Sequence, residues 1–243
     1  MTQNIYDDAS FFEAYSGLER SLKGLDGAPE WPALRARIQD LRGARVLDLG
    51  CGFGWFCRWA AEQGADTVLG LDVSENMLTR ARASTTDRRI AYRHADLEHV
   101  RLGRSGFDLV YSSLVLHYLE NLPRLFGEIH GALEEGGDFL FSVEHPLVTA
   151  PDRQGWEERH GGPVWPVNDY LQEGARTTDW LAPGVVKQHR TIAGYLNPLL
   201  AAGFALVHLD EWGPDTQQVA QRPEWERERH RPPFLLVHAR RIG

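Results

Sequence analysis

Three glycines at alternate positions, Gly50, Gly52 and Gly54, follow an apolar run with one carboxylate, Val46-Leu47-Asp48-Leu49. Through Cys51 and Phe53 they lead into Trp55-Phe56-Cys57-Arg58-Trp59-Ala60-Ala61, a helical pattern. A buried strand that meets a glycine turn and then a helix start is a ligand-binding device. Glycine lets the backbone approach a ligand and take φ values that other residues avoid, and the helix start offers free N–H groups to an anionic group. Asp72 follows about 20 residues after the turn, the spacing at which an acid hydrogen-bonds ribose hydroxyls. Val73 and Met77, just beyond it, are placed to lie against a purine or to serve as plain core. His117, Glu144, His145 and His189 are the candidate general bases, and a histidine near neutral pKa suits that work. No His/Cys/Asp/Glu set has metal-ligand spacing, so no metal is expected.

Two cofactor classes use the glycine device. A dinucleotide fold needs G-x-G-x-x-G, with its pyrophosphate on the helix start. Trp55 stands where that pattern places its third glycine and would crowd the helix against the strand. A ligand that brings a carboxylate instead of a pyrophosphate suits the loop better. The words Val46-Leu47-Asp48-Leu49-Gly50-Cys51-Gly52-Phe53-Gly54 and Leu69-Gly70-Leu71-Asp72-Val73-Ser74 resemble those of the class I S-adenosylmethionine-dependent methyltransferases. The likeness is to the small-molecule branch that includes the ubiquinone/menaquinone-biosynthesis type (methyltransferase type 11). It covers roughly residues 40–145 well and the last strands loosely.

The resemblance implies a cofactor site of Asp48, Gly50, Cys51, Gly52, Trp55, Asp72, Val73, Met77, Asp96, Leu97, Ser112, Leu114 and His117. Asp48 would face the sulfonium side or brace the loop. Asp96 would accept the adenine amino group, and Leu97 would add a backbone contact. Ser112, Leu114 and His117 would lie near the methyl, with His117, His145 and Glu144 as candidates for catalysis. S-adenosylmethionine is then the cofactor and S-adenosylhomocysteine the product. Two alternatives stay open at this point: an NAD(P)-dependent oxidoreductase, and a protein that binds S-adenosylmethionine without transferring from it.

Bulk properties narrow the partners. The chain has 243 residues, 42% hydrophobic and 25% charged, as in an ordinary globular protein. A net charge of -8 with no Lys/Arg run argues against nucleic acid. So does Tyr111-Ser112-Ser113-Leu114, which stands where base- and amide-nitrogen methyltransferases tend to carry Asn-Pro-Pro-Tyr. The two cysteines, Cys51 and Cys57, form no disulfide framework, which fits a reducing cytoplasm. The acidic start Met1-Thr2-Gln3-Asn4-Ile5-Tyr6-Asp7-Asp8 is not a signal peptide. No apolar run nears the roughly 20 residues that span a bilayer.

The elements that must position these residues alternate. Strands are expected at 45–49, 67–72, 90–94, 107–112 and 139–144, with helices between them at 55–63, from Ser74 to about Ala83, and along Leu122, Leu125, Phe126, Ile129 and Leu133. After a helix from Thr191 to Gly203, kinked at Pro198, two more strands run 204–212 and 234–240. A charged link without a crossover helix joins those two, which favours an antiparallel pair. The expected fold is α/β: a doubly wound, Rossmann-like, seven-stranded sheet, mostly parallel with the last strand reversed. A single domain spans 1–243. Residues 1–42 form a helical cover, one helix over 9–24 and another from Pro32 to about Leu41, where Tyr6, Tyr15 and Arg20 either cover the cofactor or pack on the sheet edge. Residues 145–190, rich in proline and tryptophan, read as a long insertion without regular elements, a functional loop. Trp156, Trp165, Tyr170 and Trp180 would wall a small-molecule acceptor, and Glu157, Glu158, Asp169 and Glu173 would draw a cation. The alternative for this segment is a homodimer interface.

Overall fold

The computed structural model describes residues 3–104, 106–159 and 161–243; Met1 and Thr2 of the expected cover and His160 of the insertion lie outside them. A one-turn 3-10 helix at Ile5–Asp7 comes first, then α1 (Ala9–Ser16), whose N-cap Asp8 accepts the N–H groups of Ser10 and Phe11. The single helix expected over 9–24 is in fact two. Gly17 closes α1, Leu18 is extended (ψ 149), and α2 (Glu19–Leu22) starts afresh. α3 (Trp31–Arg35) stops earlier than expected.

The sheet strands then alternate with helices: β1 (Arg45–Leu49), α4 (Trp55–Glu62), β2 (Thr67–Asp72), α5 (Glu75–Ala83), β3 (Ile90–His94), β4 (Phe107–Ser113), α6 (Leu122–Ala132) and β5 (Leu133–Glu144). β5 begins six residues before its expected start. Gly136, at φ +78, sits in an irregular opening where pairing jumps from Phe107↔Leu133 to Leu109↔Asp138. The insertion contains regular structure after all: α7 (Pro146–Thr149), the hairpin β6 (Glu157–Arg159) with β7 (Gly162–Val164), and the hairpin β8 (Gly174–Thr178) with β9 (Val185–His189). α8 (Ile192–Ala201) continues through Pro198, β10 (Phe204–Trp212) follows, and the charged link holds α9 (Thr216–Gln221) and a 3-10 segment Pro223–His230 before β11 (Phe234–Arg241).

The strand order is β10-β11-β5-β4-β1-β2-β3, with β11 antiparallel to both neighbours and the other contacts parallel. Alternate side chains enter one apolar layer on each face. Leu47, Leu49 and Phe141 pack with Phe126 and Ile129 of α6, while Val46, Val68 and Tyr111 pack with Phe56 of α4 and Trp31. Strand order reverses between β1 and β4, and in such sheets ligands bind at the carboxyl ends of the strands there. Among the described residues no helix is long and apolar enough to cross a membrane.

Candidate active site

A cavity of about 330 Å³ opens at that reversal point, a volume that suits a small ligand. Its floor is the glycine turn. Gly50 (φ +76) donates its N–H to the Leu71 carbonyl at 2.8 Å, and a Cβ there would lie 2.2 Å from Val115. Gly52 (φ +51) differs: nothing lies within 4 Å of where its Cβ would be, so the backbone is bare toward the cavity. That is a cradle left for a ligand atom to approach.

Asp72 ends β2 beside this cradle. One of its oxygens accepts the Gly52 N–H at 2.8 Å and the other the Ser74 N–H at 2.9 Å. Burial raises its pKa, against the pull of those bonds. The Val73 N–H also bonds the carboxylate, and of its roughly four lone-pair sites some capacity is left for a ligand hydroxyl. Asp96 lines the far wall, its oxygens engaged by the Glu98 N–H (2.9 Å) and by His99 Nδ1 (3.0 Å). Val73, Met77 and Leu97 complete an apolar slot between the two acids.

Past β4 the chain turns at Leu114, which holds φ 56. A left-handed leucine costs of order 1–3 kcal/mol and persists only where its surroundings impose it. Here its N–H is taken by the Ser142 carbonyl at 2.9 Å, and the residue lines the cavity. His117 follows, 1% exposed. Its Nδ1 accepts the Glu144 N–H at 3.3 Å. Burial, with the positive charges of Lys187 and Arg190, pushes its pKa down to about 4 against the pull of Glu144. The ring is therefore neutral at physiological pH, and with Nδ1 an acceptor its proton sits on Nε2. In that tautomer His117 carries a hydrogen-bond donor. Glu144 ends β5 at the same wall. Burial pushes its carboxyl up, but the Lys187 ammonium, with His117 and Arg231, holds it below the usual carboxylate range.

The structure thus brings Gly50, Gly52, Asp72, Val73, Met77, Asp96, Leu97, Leu114, His117 and Glu144 to one cavity. It does not bring there every residue the sequence suggested. Asp48, Cys51 and Trp55 line a smaller adjoining pocket that shares Gly50, Gly52 and Ser113 with the first. Asp48 is buried, its pKa pushed up to about 7, and it accepts the Cys57 thiol at 3.2 Å. Trp55 lies under the Arg58 guanidinium. Ser112 spends its hydroxyl on the Leu49 carbonyl, bracing β1 to β4, and its neighbour Ser113 lines the cavity instead. His145 caps α7 through Nδ1 and meets Glu211 through Nε2 at 2.9 Å, away from the cavity. His189 is held between Thr149 and the Tyr170 carbonyl.

Sequence reasoning missed Lys187, Arg231 and Tyr118, all at the outer end. Tyr118 lies one residue past His117, and nothing in the sequence assigns it a role. Lys187 and Arg231 gave no local signal, because chain reversals far from the glycine turn bring them in.

The roof comes from the N-terminal segment and the insertion. Asp7 accepts the Ser74 hydroxyl at 2.5 Å, and the Tyr6 hydroxyl approaches that of Tyr118 at 3.4 Å. Gln3 ties this segment to the β8–β9 hairpin through Gly184 and Val186, both at 2.9 Å. Phe11 meets Trp180 edge-on at 5.7 Å.

Comparison with known proteins matches residues 47–141 to a family described as a methyltransferase domain. The crystal structure of an S-adenosylmethionine dependent methyltransferase from Mesorhizobium loti is 56% identical, with TM-score 0.86, over 90% of this chain and 100% of that one. An uncharacterized protein of Haemophilus influenzae is 33% identical over 98% of this chain and 97% of its own. A malonyl-[acyl-carrier protein] O-methyltransferase of Enterobacter lignolyticus is 36% identical over 124 residues, 51% of this chain and 48% of that protein. The chain thus spans about half the length of this last relative.

Proposed function

The chain belongs to the S-adenosylmethionine-dependent methyltransferases, and from that premise we propose that its strand-end cavity transfers the methyl group to a small-molecule acceptor admitted beneath the insertion. The dinucleotide alternative gives way to this membership. When bound, S-adenosylmethionine supplies a methyl on a sulfonium, an electrophile that needs a positioned nucleophile and little else. The residues fit such a group. The bare face of Gly52 allows close backbone approach, Asp72 has lone pairs left for ribose hydroxyls, and Asp96 with Leu97 stands where a purine amino group would bond.

What the protein contributes is positioning and exclusion of water. His117 and Glu144 orient the acceptor at the outer end. Tyr6, Tyr118 and Trp180 close the top. Residues 1–42 act as cover and 145–190 as substrate lid of one catalytic domain. With His117 neutral and protonated on Nε2, and Glu144 already ionised and paired, an acceptor whose nucleophile is ionised without help is favoured. The enclosed cavity and the -8 charge support a small molecule over nucleic acid, and the reading is a cytoplasmic enzyme. A homodimer stays compatible with it.

The observation that carries this reading is the cavity that joins the Gly52 cradle to Asp72 on one side and to Glu144 on the other. The test is transfer of label from methyl-tritiated S-adenosylmethionine into a small-molecule extract, with nucleic-acid and protein fractions beside it. Label is expected in the small-molecule fraction alone. Label confined to nucleic acid or protein would contradict it.

A further inference from the structure

The outer end of the cavity, assigned above to the acceptor, holds two charged groups with unmet hydrogen-bonding capacity. One is Glu144. Its Oε1 accepts Lys187 Nζ at 2.5 Å, while its buried Oε2 has no hydrogen-bond partner among the described residues. The other is Arg231, on the segment that enters β11. Its side chain is 9% exposed, and its guanidinium is stacked 4.0 Å over Trp165 and 5.0 Å from Trp156. Its Nε and Nη1 have no hydrogen-bond partner. Nη1 lies 3.2 Å from Glu228 Oε2, near enough for charge attraction but without hydrogen-bond geometry.

These facts decide the sign of the ligand. An aromatic wall with an acid beside it ordinarily suits a cation. In this protein that place is already taken, since Lys187 sits 4.8 Å over the Trp180 ring and bonds Glu144 at once. The protein's own ammonium is the cation in the box. What is left unsatisfied on the positive side is the Arg231 guanidinium, with idle donors at Nε and Nη1, either of which can act with Nη2 as a fork on a carboxylate. A buried guanidinium with idle donors is costly unless an acceptor completes it. Burial also lowers the Arg231 pKa, as expected of a charge short of compensation.

We propose that the acceptor is an organic acid whose carboxylate is held by Arg231, with a hydroxyl or N–H of the same molecule reaching Glu144 Oε2. The proposal rests on the assignment of this cavity to the methyl acceptor and adds the acceptor's class. Arg231 is then a specificity-determining residue, and Trp156 and Trp165 keep its fork flat against the opening.

The test compares an acid with its amide, which has nearly the same shape and no charge. Protein saturated with S-adenosylhomocysteine is titrated with 4-hydroxybenzoate and with 4-hydroxybenzamide by ligand-observed NMR. The acid should bind about tenfold or more tightly, as a charge-assisted fork contact implies. In Arg231→Gln that preference should vanish while the affinity for S-adenosylhomocysteine is unchanged. Equal binding of acid and amide to the unmodified protein, no detectable binding of the acid, or a preference that survives in Arg231→Gln would each overturn the proposal. Should Arg231→Gln not fold, a crystal of the unmodified protein with 4-hydroxybenzoate decides: the carboxylate on Arg231 supports the proposal, and any other place overturns it. The two readings fail separately, because loss of the acid preference leaves cofactor binding intact, whereas a misplaced cofactor site shows in the S-adenosylhomocysteine titration itself.

Discussion

Asp72→Ala is expected to weaken S-adenosylhomocysteine binding by about 1–3 kcal/mol, roughly 5- to 150-fold. Two contributions act together. The carboxylate would lose its bonds to ligand hydroxyls, and the Gly52 and Ser74 N–H groups that it now holds at 2.8 and 2.9 Å would be released. The second loss loosens the cradle, so even an indirect role predicts a deficit. Isothermal titration of both proteins measures it. Asp72→Asn separates the contributions, since an amide oxygen can still hold one N–H. It should fall between the two. A dissociation constant unchanged in Asp72→Ala would contradict the assignment of this acid.

Lys187→Met should give the largest loss of stability. The change removes the cation from Glu144, whose carboxyl lies 17% exposed at the end of β5. Breaking a buried pair on one side typically costs about 3–5 kcal/mol, and this site, open to cavity water, belongs at the lower end. The loss should depend on pH. In the native protein the Glu144 pKa is lowered, so the pair contributes stability above the unfolded carboxyl value of about 4.3 and loses it as pH falls through the lower folded value. Without Lys187, burial is opposed only by His117 and Arg231, and the folded pKa rises. The deficit should therefore be largest near pH 7 and shrink as pH falls toward 4, where the carboxyl of the variant is protonated and no longer a buried charge. Urea unfolding at pH 7.5 and pH 4.5 reads both values. An equal deficit at the two pH values would contradict the pairing as its cause.

Much of this arrangement is legible in the chain alone. Apolar runs of five or six residues separated by helical periodicity predict the parallel strands, and the reversed β11 follows from a link with no helix long enough to cross the sheet. The turn Gly50–Gly54 and the acid at Asp72 announce the cofactor site, because their chemistry is local and their spacing fixed. The remainder is carried by contacts between distant residues. β6 reads Glu157-Glu158-Arg159, exposed at all three positions, with no apolar alternation to mark it as a strand. Gly17 ends α1 where the spacing of Phe11, Tyr15, Leu18 and Leu22 suggests one long helix. His117 and His145 look alike as strand-end histidines. Only the fold shows that one lines the cavity while the other is consumed by a helix cap and Glu211. Lys187 reaches Glu144 across 43 residues, a distance at which spacing carries no information.

The most direct test of the central claim is a crystal structure with S-adenosylhomocysteine. The ribose is predicted against the Asp72 carboxylate, with the purine beside Asp96 and Leu97 and the ligand backbone over Gly52. A ligand lodged elsewhere, with the face of Gly52 left bare, would contradict it.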